Sequence, residues 1–183
     1  MTSHSQRTIV KGKPSDLEEL FNIYLAAKDK LEQQGLNQWT SNYPTPAIIE
    51  SDLKKGIMYL LKKDNAIIGA VNISEEQEKE YQTINWKCND TKVLVIHRLV
   101  VAPQFQGQGY AISLMDFAED FALKHNYTSI RLDAYSANKR VIKFYQQRNY
   151  VIRGNVYFPE REHPFYCMEK EMGMENKSIT KMP

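Results

Sequence analysis

The stretch VVAPQFQGQG, residues 100–109, ends an apolar run in a proline and then sets Gly107 and Gly109 ahead of a long amphipathic segment. Glycines there supply the positive φ angles and close backbone approach that a tight strand-to-helix turn needs. They also leave main-chain N–H groups uncovered at the positive end of the helix that follows, which is how proteins hold a phosphate. Taken alone, the glycine pair fits either reading, because such pairs recur in many turns.

The elements that would position this turn follow from periodicity. VLVIHRLVVAP reads as a strand ended by Pro103, and beyond the glycines Ala111, Leu114, Met115, Ala118, Phe121 and Ala122 form a helical stripe. SIRLDAY is a second strand. SANKRVIKFYQQRN is a helix with Asn138, Val141, Ile142 and Tyr145 on one face, ended near Asn149, a residue that tolerates the left-handed cap. YVIRGNVYF and FYCMEKEM read as closing strands.

In the first half, PSDLEELFNIYLAAKDKLEQQG opens with a predicted capping box of Ser15 and Glu18. It places Leu17, Leu20, Phe21, Tyr24 and Leu25 on one face and stops at Gly35. A shorter helix has Thr45 as cap, Pro46 in its first turn and Gly56 as terminator. MYLLKKDNAIIGAVNIS is a hairpin turning at Lys63-Asp64-Asn65, and the acidic EEQEKEYQTINWKCNDTK reads as a loop or frayed helix. The order ααββ, β, α, β, α, ββ predicts an α+β fold, a mixed sheet with helices on both faces.

Composition narrows the function classes. With 183 residues the chain is long enough for one sizeable core, predicted over 1–172 with a tail over 173–183. Its formal charge of +2 argues against a general nucleic-acid or membrane binder. The N-terminus has no apolar core of signal-peptide length and no window approaches a membrane span, which points to the cytoplasm. Cys88 and Cys167 have no companions at ligand spacing, so a zinc site is not expected, and both read as reduced and buried. A dinucleotide fold would need G-x-G-x-x-G near the N-terminus, and it is absent.

The run HRLVVAPQFQGQGYA at 97–111, followed by LDAYSANKRVIKFYQQRNYVIRG at 132–154, resembles the GNAT family of N-acetyltransferases. That family's turn carries Gln/Arg-x-x-Gly-x-Gly/Ala, here Gln104, Gly107 and Gly109; the resemblance spans roughly residues 7–172. Asn149 stands where the family usually has glycine. The resemblance implies a mostly antiparallel mixed sheet splayed between two strands, with acetyl-CoA bound in the opening and coenzyme A as product. The amides from Gln106 through Gly107, Gln108, Gly109 and Tyr110 to Ala111 would hold the pyrophosphate. Leu99, Val100 and Val101 would meet the pantetheine arm as an added strand would. Asn138 would also hold that arm, although it would cap its helix in any fold. Lys143, with Lys139 and Arg140, falls near the expected 3′-phosphate site.

Transfer of the acetyl group to an amine needs a base, a donor to the developing oxyanion and an acid for the departing thiolate. By resemblance the donor is a main-chain N–H of Val100 or Val101, and the acid is Tyr145, for which a core hydrogen bond is the alternative role. For the base, strand alternation places His97 on the face of Leu99 and Val101, and histidine titrates closest to neutrality. Asp133 competes with it, though Arg131 or Arg98 could pair with Asp133 structurally, and water with backbone is a third route. Trp39 and Tyr43 offer flat walls for an acceptor, or equally a cover for the sheet. The expected partner is a small-molecule or peptide amine, with no nucleic acid and no membrane, and the protein is a monomer or homodimer. A non-catalytic acyl-CoA sensor of the same fold is the alternative.

Overall fold

The computed structural model describes residues 7–89 and 92–173. Its chain order is β1 (Arg7–Lys11), α1 (Leu17–Gln33), α2 (Pro46–Lys55), β2 (Met58–Lys63), β3 (Ala66–Ser74), β4 (Val93–Val101), α3 (Tyr110–Lys124), β5 (Ser129–Tyr135), α4 (Lys139–Gln147), β6 (Val151–Val156) and β7 (Phe165–Glu171). The strands form one seven-stranded sheet in the order β1-β2-β3-β4-β5-β7-β6. Every neighbouring pair is antiparallel except β4 and β5. This is the predicted α+β architecture, with β1 as an edge strand that periodicity had not shown. The predicted tail lies outside the described residues apart from Gly173.

Turn chemistry sets several boundaries as expected. Asp64 and Asn65 take φ of 49° and 71° between β2 and β3, the left-handed pair of a two-residue hairpin. Thr45 accepts the N–H of Ile48 at 3.3 Å, Pro46 opens α2, and Gly56 ends it at φ 68°. The start of α1 differs from expectation. Pro14–Asp16 form a 3-10 turn, and the Lys13 N–H donates to the Asp16 carboxylate at 2.8 Å, so Ser15 and Glu18 are not the capping pair. The buried face of α1 is Leu20, Ile23, Tyr24 and Ala27, the i, i+3, i+4, i+7 set, and it leaves Leu25 exposed.

Three apolar clusters divide the two faces of the sheet. Helices α3 and α4 cover one face, where Leu114, Met115, Ala118, Ala122, Ile142 and Tyr145 meet Leu94, Ile96, Ile130 and Leu132. Helices α1 and α2 cover β2 and β3 on the other face, reaching Val100 of β4. The rest of that face is covered by the acidic segment, which is neither loop nor helix throughout. It makes a 3-10 turn at Lys79–Thr83 and buries Tyr81 and Trp86 against Val95, Tyr135 and Cys167. Cys167 is buried as expected, but Cys88 is only half-buried because it lies on this covering segment. Among the described residues no helix is long and apolar enough to cross a membrane.

Candidate active site

The site begins with an irregularity in β4. Ala70 of β3 faces Val100, but Asn72 faces His97, so Arg98 and Leu99 together lie opposite the single Val71. One extra residue in a strand bends it and reverses the side-chain alternation beyond it. Arg98 takes a φ of 50°, uncommon without a glycine, and its surroundings hold it there. The Tyr24 hydroxyl donates to the Arg98 carbonyl at 2.6 Å. The guanidinium donates to Asp52 Oδ2 from Nε at 2.9 Å and Nη2 at 2.6 Å, and to the Tyr43 hydroxyl from Nη1 at 2.8 Å. Burial works against the charge on Arg98, and Tyr43 and Asp52 overcome it, raising its pKa. Asp133 is thus not its partner; Arg131 faces Glu169 instead, Nε at 3.5 Å from Oε1.

The bulge corrects the expected placement of His97. Val95 packs against the Tyr81 cluster and Ile96 against α3, so His97 falls on the Tyr81 side, while Val101 beyond the bulge packs on the α3 side. His97 and Val101 therefore face opposite ways. Beyond the bulge the Ala102 N–H bonds Ile68 O at 2.9 Å, so alternation gives Val100 main-chain groups directed at β3 and Val101 groups directed away from it. Of the two expected oxyanion donors, only Val101 has its N–H toward the opening.

That opening is the splay between the two parallel strands. They pair from Val93 with Ser129 to Ile96 with Leu132, after which β4 keeps only β3 and β5 only β7. His97 and Asp133 are the first residues past the last pair, one on each lip. A cleft of about 730 Å³ starts here, lined by both residues and by Glu78, Leu99, Val101 and Tyr145. It runs to Gln106, Gly107, Gly109, Tyr110 and Ala111 at one end, and to Trp39, Tyr43 and the β6–β7 loop at the other.

At the glycine end, Gly107 and Gly109 take φ of 78° and 83°, and a Cβ on either would meet no protein atom within 4 Å. Packing therefore does not require the glycines; the backbone conformation and the space in front of it do. Gly109 is the N-cap of α3, and the N–H groups from Gly107 to Ile112 have no main-chain acceptor among the described residues. The Gln106 N–H, expected to join them, instead reaches Pro103 O at 3.4 Å. Its side-chain amide donates to Val101 O at 3.0 Å, on the pantetheine path that the resemblance implies. Gln104 and Gln108 are exposed and bonded to one another, Nε2 of Gln108 to the Gln104 carbonyl at 3.1 Å, away from the cleft lining.

On the opposite lip, Asn138 accepts the Val141 N–H at 3.2 Å as the cap of α4 and donates from Nδ2 to Gln38 Oε1 at 3.0 Å. Arg140 lines the cleft, whereas Lys143 is exposed outside the lining and Lys139 donates to Ser136 O at 2.8 Å. Tyr145 is buried with its ring edge-on to Tyr150 at 5.7 Å. Burial, then the charge of Asp133, raises its hydroxyl well above the ordinary tyrosine value, so it stays protonated at neutral pH.

His97 is nearly buried, and its Nε2 lies 2.9 Å from Glu76 O. A carbonyl only accepts, so in the neutral ring Nε2 carries the hydrogen and Nδ1 keeps its lone pair. Nδ1 is 3.8 Å from the carboxylate of Glu78, a residue that sequence reasoning missed within an ordinary-looking charge run. Asp133 Oδ2 accepts the Tyr81 hydroxyl at 2.7 Å. Burial raises the Asp133 pKa, opposed by that hydrogen bond and by the charges of His97 and Arg98. Trp39 and Tyr43 each line the cleft and each pack over the sheet, Trp39 at 5.4 Å edge-on to Tyr24.

Known proteins share this architecture. A crystal structure of a GNAT-family acetyltransferase from Streptococcus agalactiae superposes with a TM-score of 0.79 at 19% identity, covering 93% of this chain and 99% of that one. The PaiA N-acetyltransferase of Thermoplasma acidophilum, solved in complex with coenzyme A, does so with a TM-score of 0.68 at 14% identity, covering 91% and 99%. In sequence, the uncharacterized N-acetyltransferase YesJ of Bacillus subtilis is 25% identical over 141 residues, 76% of this chain and 78% of YesJ. The sequence model of the acetyltransferase (GNAT) family matches residues 17–150, most of the chain and all of the turn, splay and cap just described. The chain belongs to the GNAT family of acetyltransferases.

Proposed function

We propose that the protein transfers an acetyl group from acetyl-CoA to an amine by direct attack on the thioester in the β4–β5 splay. The observation that carries this reading is the row of N–H groups from Gly107 to Ile112, without main-chain acceptors, at the end of a cleft that also holds His97 and Tyr145. Those N–H groups and the α3 N-terminus suit a diphosphate, and the open space before Gly107 and Gly109 admits it. The PaiA enzyme's complex with coenzyme A supports the same ligand for this fold. Bound there, acetyl-CoA supplies an acetyl group activated as a thioester.

The chain's own groups then divide the work. Val101 offers its main-chain N–H to the carbonyl oxygen as charge gathers on it. His97 accepts the proton of the attacking amine at Nδ1, with Glu78 near enough to favour the resulting cation, directly or through one water. Asp133 already accepts from Tyr81, which makes it the weaker claimant to that role. Tyr145 gives its hydroxyl proton to the departing sulfur, and the depth of its burial keeps the proton on the phenol until then.

The test is thiol release from acetyl-CoA across a panel of amines, with mass spectrometry of the acceptor. The reading expects at least one amine to leave one acetyl group heavier, in step with the thiol. Tight acetyl-CoA binding with background thiol release for every amine would favour the non-catalytic sensor.

A further inference from the structure

The acceptor end of the cleft holds a cation of an unusual kind. Arg98, Arg131, Arg148 and Arg153, all at least half-buried, each lie within ion-pair range of a carboxylate. Arg161, half-buried in the β6–β7 loop, has neutral partners: Nε donates to Gln38 O at 3.0 Å and Nη1 to Pro159 O at 2.8 Å. Among the described residues it forms no ion pair, and Nη2 makes no hydrogen bond. Its neighbour Glu160 is engaged elsewhere, both carboxylate oxygens 3.2 Å from Asn42 Nδ2. Burial lowers the Arg161 pKa, with only partial compensation from Glu160, Tyr43 and Tyr135, yet a guanidinium stays charged at neutral pH.

Two main-chain carbonyls fix the plane of this guanidinium, and the bonds from Gln38 and Asn42 hold the α1–α2 linker against the β6–β7 loop and α4. A cation so held, lining a cleft and lacking a carboxylate, is arranged to receive one. The same cleft also carries two carboxyl groups, Glu78 and Asp133, beside His97 where the splay begins. Tyr43, which lines the same cleft, is within electrostatic reach of Asp133, Glu78 and Arg161. Aromatic walls from Tyr135, Phe158 and Phe165 complete it.

We infer that the acceptor is a free amino acid: its amine faces His97 and Glu78, its carboxylate pairs with Arg161, and an apolar side chain lies on the aromatic wall. This rests on the acetyl-transfer reading above. A polyamine would instead bring a second cation against Arg161, and a longer peptide would separate the amine from its carboxylate beyond one chamber.

Leucine, methionine and phenylalanine, each paired with its carboxamide, are titrated calorimetrically into the protein saturated with coenzyme A. At least one acid is expected to bind about 10- to 100-fold tighter than its amide, the range of a charge-assisted contact. Arg161→Gln should erase that preference, and Arg161→Lys should retain part of it. Equal binding of acid and amide to the wild type, no binding of any acid, or a preference unchanged in Arg161→Gln would overturn the inference. Thiol release from acetyl-CoA with the same compounds keeps the two readings apart. Release without an acid preference contradicts the carboxylate site alone, whereas an acid preference in binding without release contradicts the transfer reading alone.

Discussion

Arg98 and Asp52 meet at 2.6 Å in the interior, tying the bulge of β4 to the middle of α2. Two N–H groups of the guanidinium converge on one oxygen, Oδ2, and the Tyr43 hydroxyl accepts a third. Arg98 therefore joins the bulged strand beside the cleft to α2 through Asp52 and to the α1–α2 linker through Tyr43.

Asp52→Ala should cost about 3–5 kcal/mol of stability, because it leaves a buried guanidinium without its counter-charge. Urea unfolding of the two proteins measures this. A loss below about 1 kcal/mol would mean that water reaches Arg98 and the pair does not fix the bulge.

Gly109→Val should raise the dissociation constant for acetyl-CoA by at least about tenfold, since a Cβ would stand in the space before the N–H row. The fold should survive with a penalty of about 1–2 kcal/mol, because a β-branched residue at positive φ is strained but meets no protein atom. Calorimetric titration with thermal melts separates the effects, and unchanged affinity in a folded variant would remove the phosphate site from this turn.

Asp133 gives a pH dependence whose sign follows from its raised pKa. In the folded protein the carboxyl holds its proton more tightly than in the unfolded chain, so its contribution to stability is full below the unfolded value of about 4 and is lost as pH rises through the folded value. Asp133→Asn keeps an acceptor for the Tyr81 hydroxyl and cannot ionise. The melting temperature of the variant should therefore gain on the wild type as pH rises from about 4 toward neutrality. A constant gap between the two melting curves would show that Asp133 keeps its ordinary acidity.

The sequence showed features that chemistry ties to single residue types. Asp64-Asn65, Gly107, Gly109 and Asn149 all take the positive φ their types allow, and the α3 stripe needed only its helical period. What stayed hidden was set by tertiary structure. β1 is five residues at a sheet edge with mostly exposed side chains, so no apolar alternation marks it. The bulge at Arg98 is one residue in an unbroken apolar run, carried by an arginine whose conformation depends on Tyr24, Tyr43 and Asp52 elsewhere in the chain. Missing it turned the predicted face of His97 over. Tyr81 and Trp86 were masked by the charges around them, and Arg161 stands out only once Arg98, Arg131, Arg148 and Arg153 are seen to be paired with carboxylates.

For His97 the expectation is an acidic limb in kcat/KM, after correction for ionisation of the amine, that disappears in His97→Gln with a rate loss of about 10²- to 10⁴-fold. Glutamine can still donate to the Glu76 carbonyl, so the surrounding segment should stay in place. A limb that persists in the variant assigns the proton to Glu78 or Asp133.

The most direct measurement is single-turnover acetyl transfer by Tyr145→Phe, with an amine that the wild type accepts. Removing the hydroxyl leaves the ring against Phe144 and Tyr150, so acetyl-CoA affinity should stay within a few-fold. The proton is needed only as the carbon–sulfur bond breaks, so the chemical rate should fall by about 10²-fold. Single turnover is required because slow product release would hide such a loss in steady state. A variant that transfers acetyl at the wild-type chemical rate would contradict the account, leaving Tyr145 as packing and the proton to water.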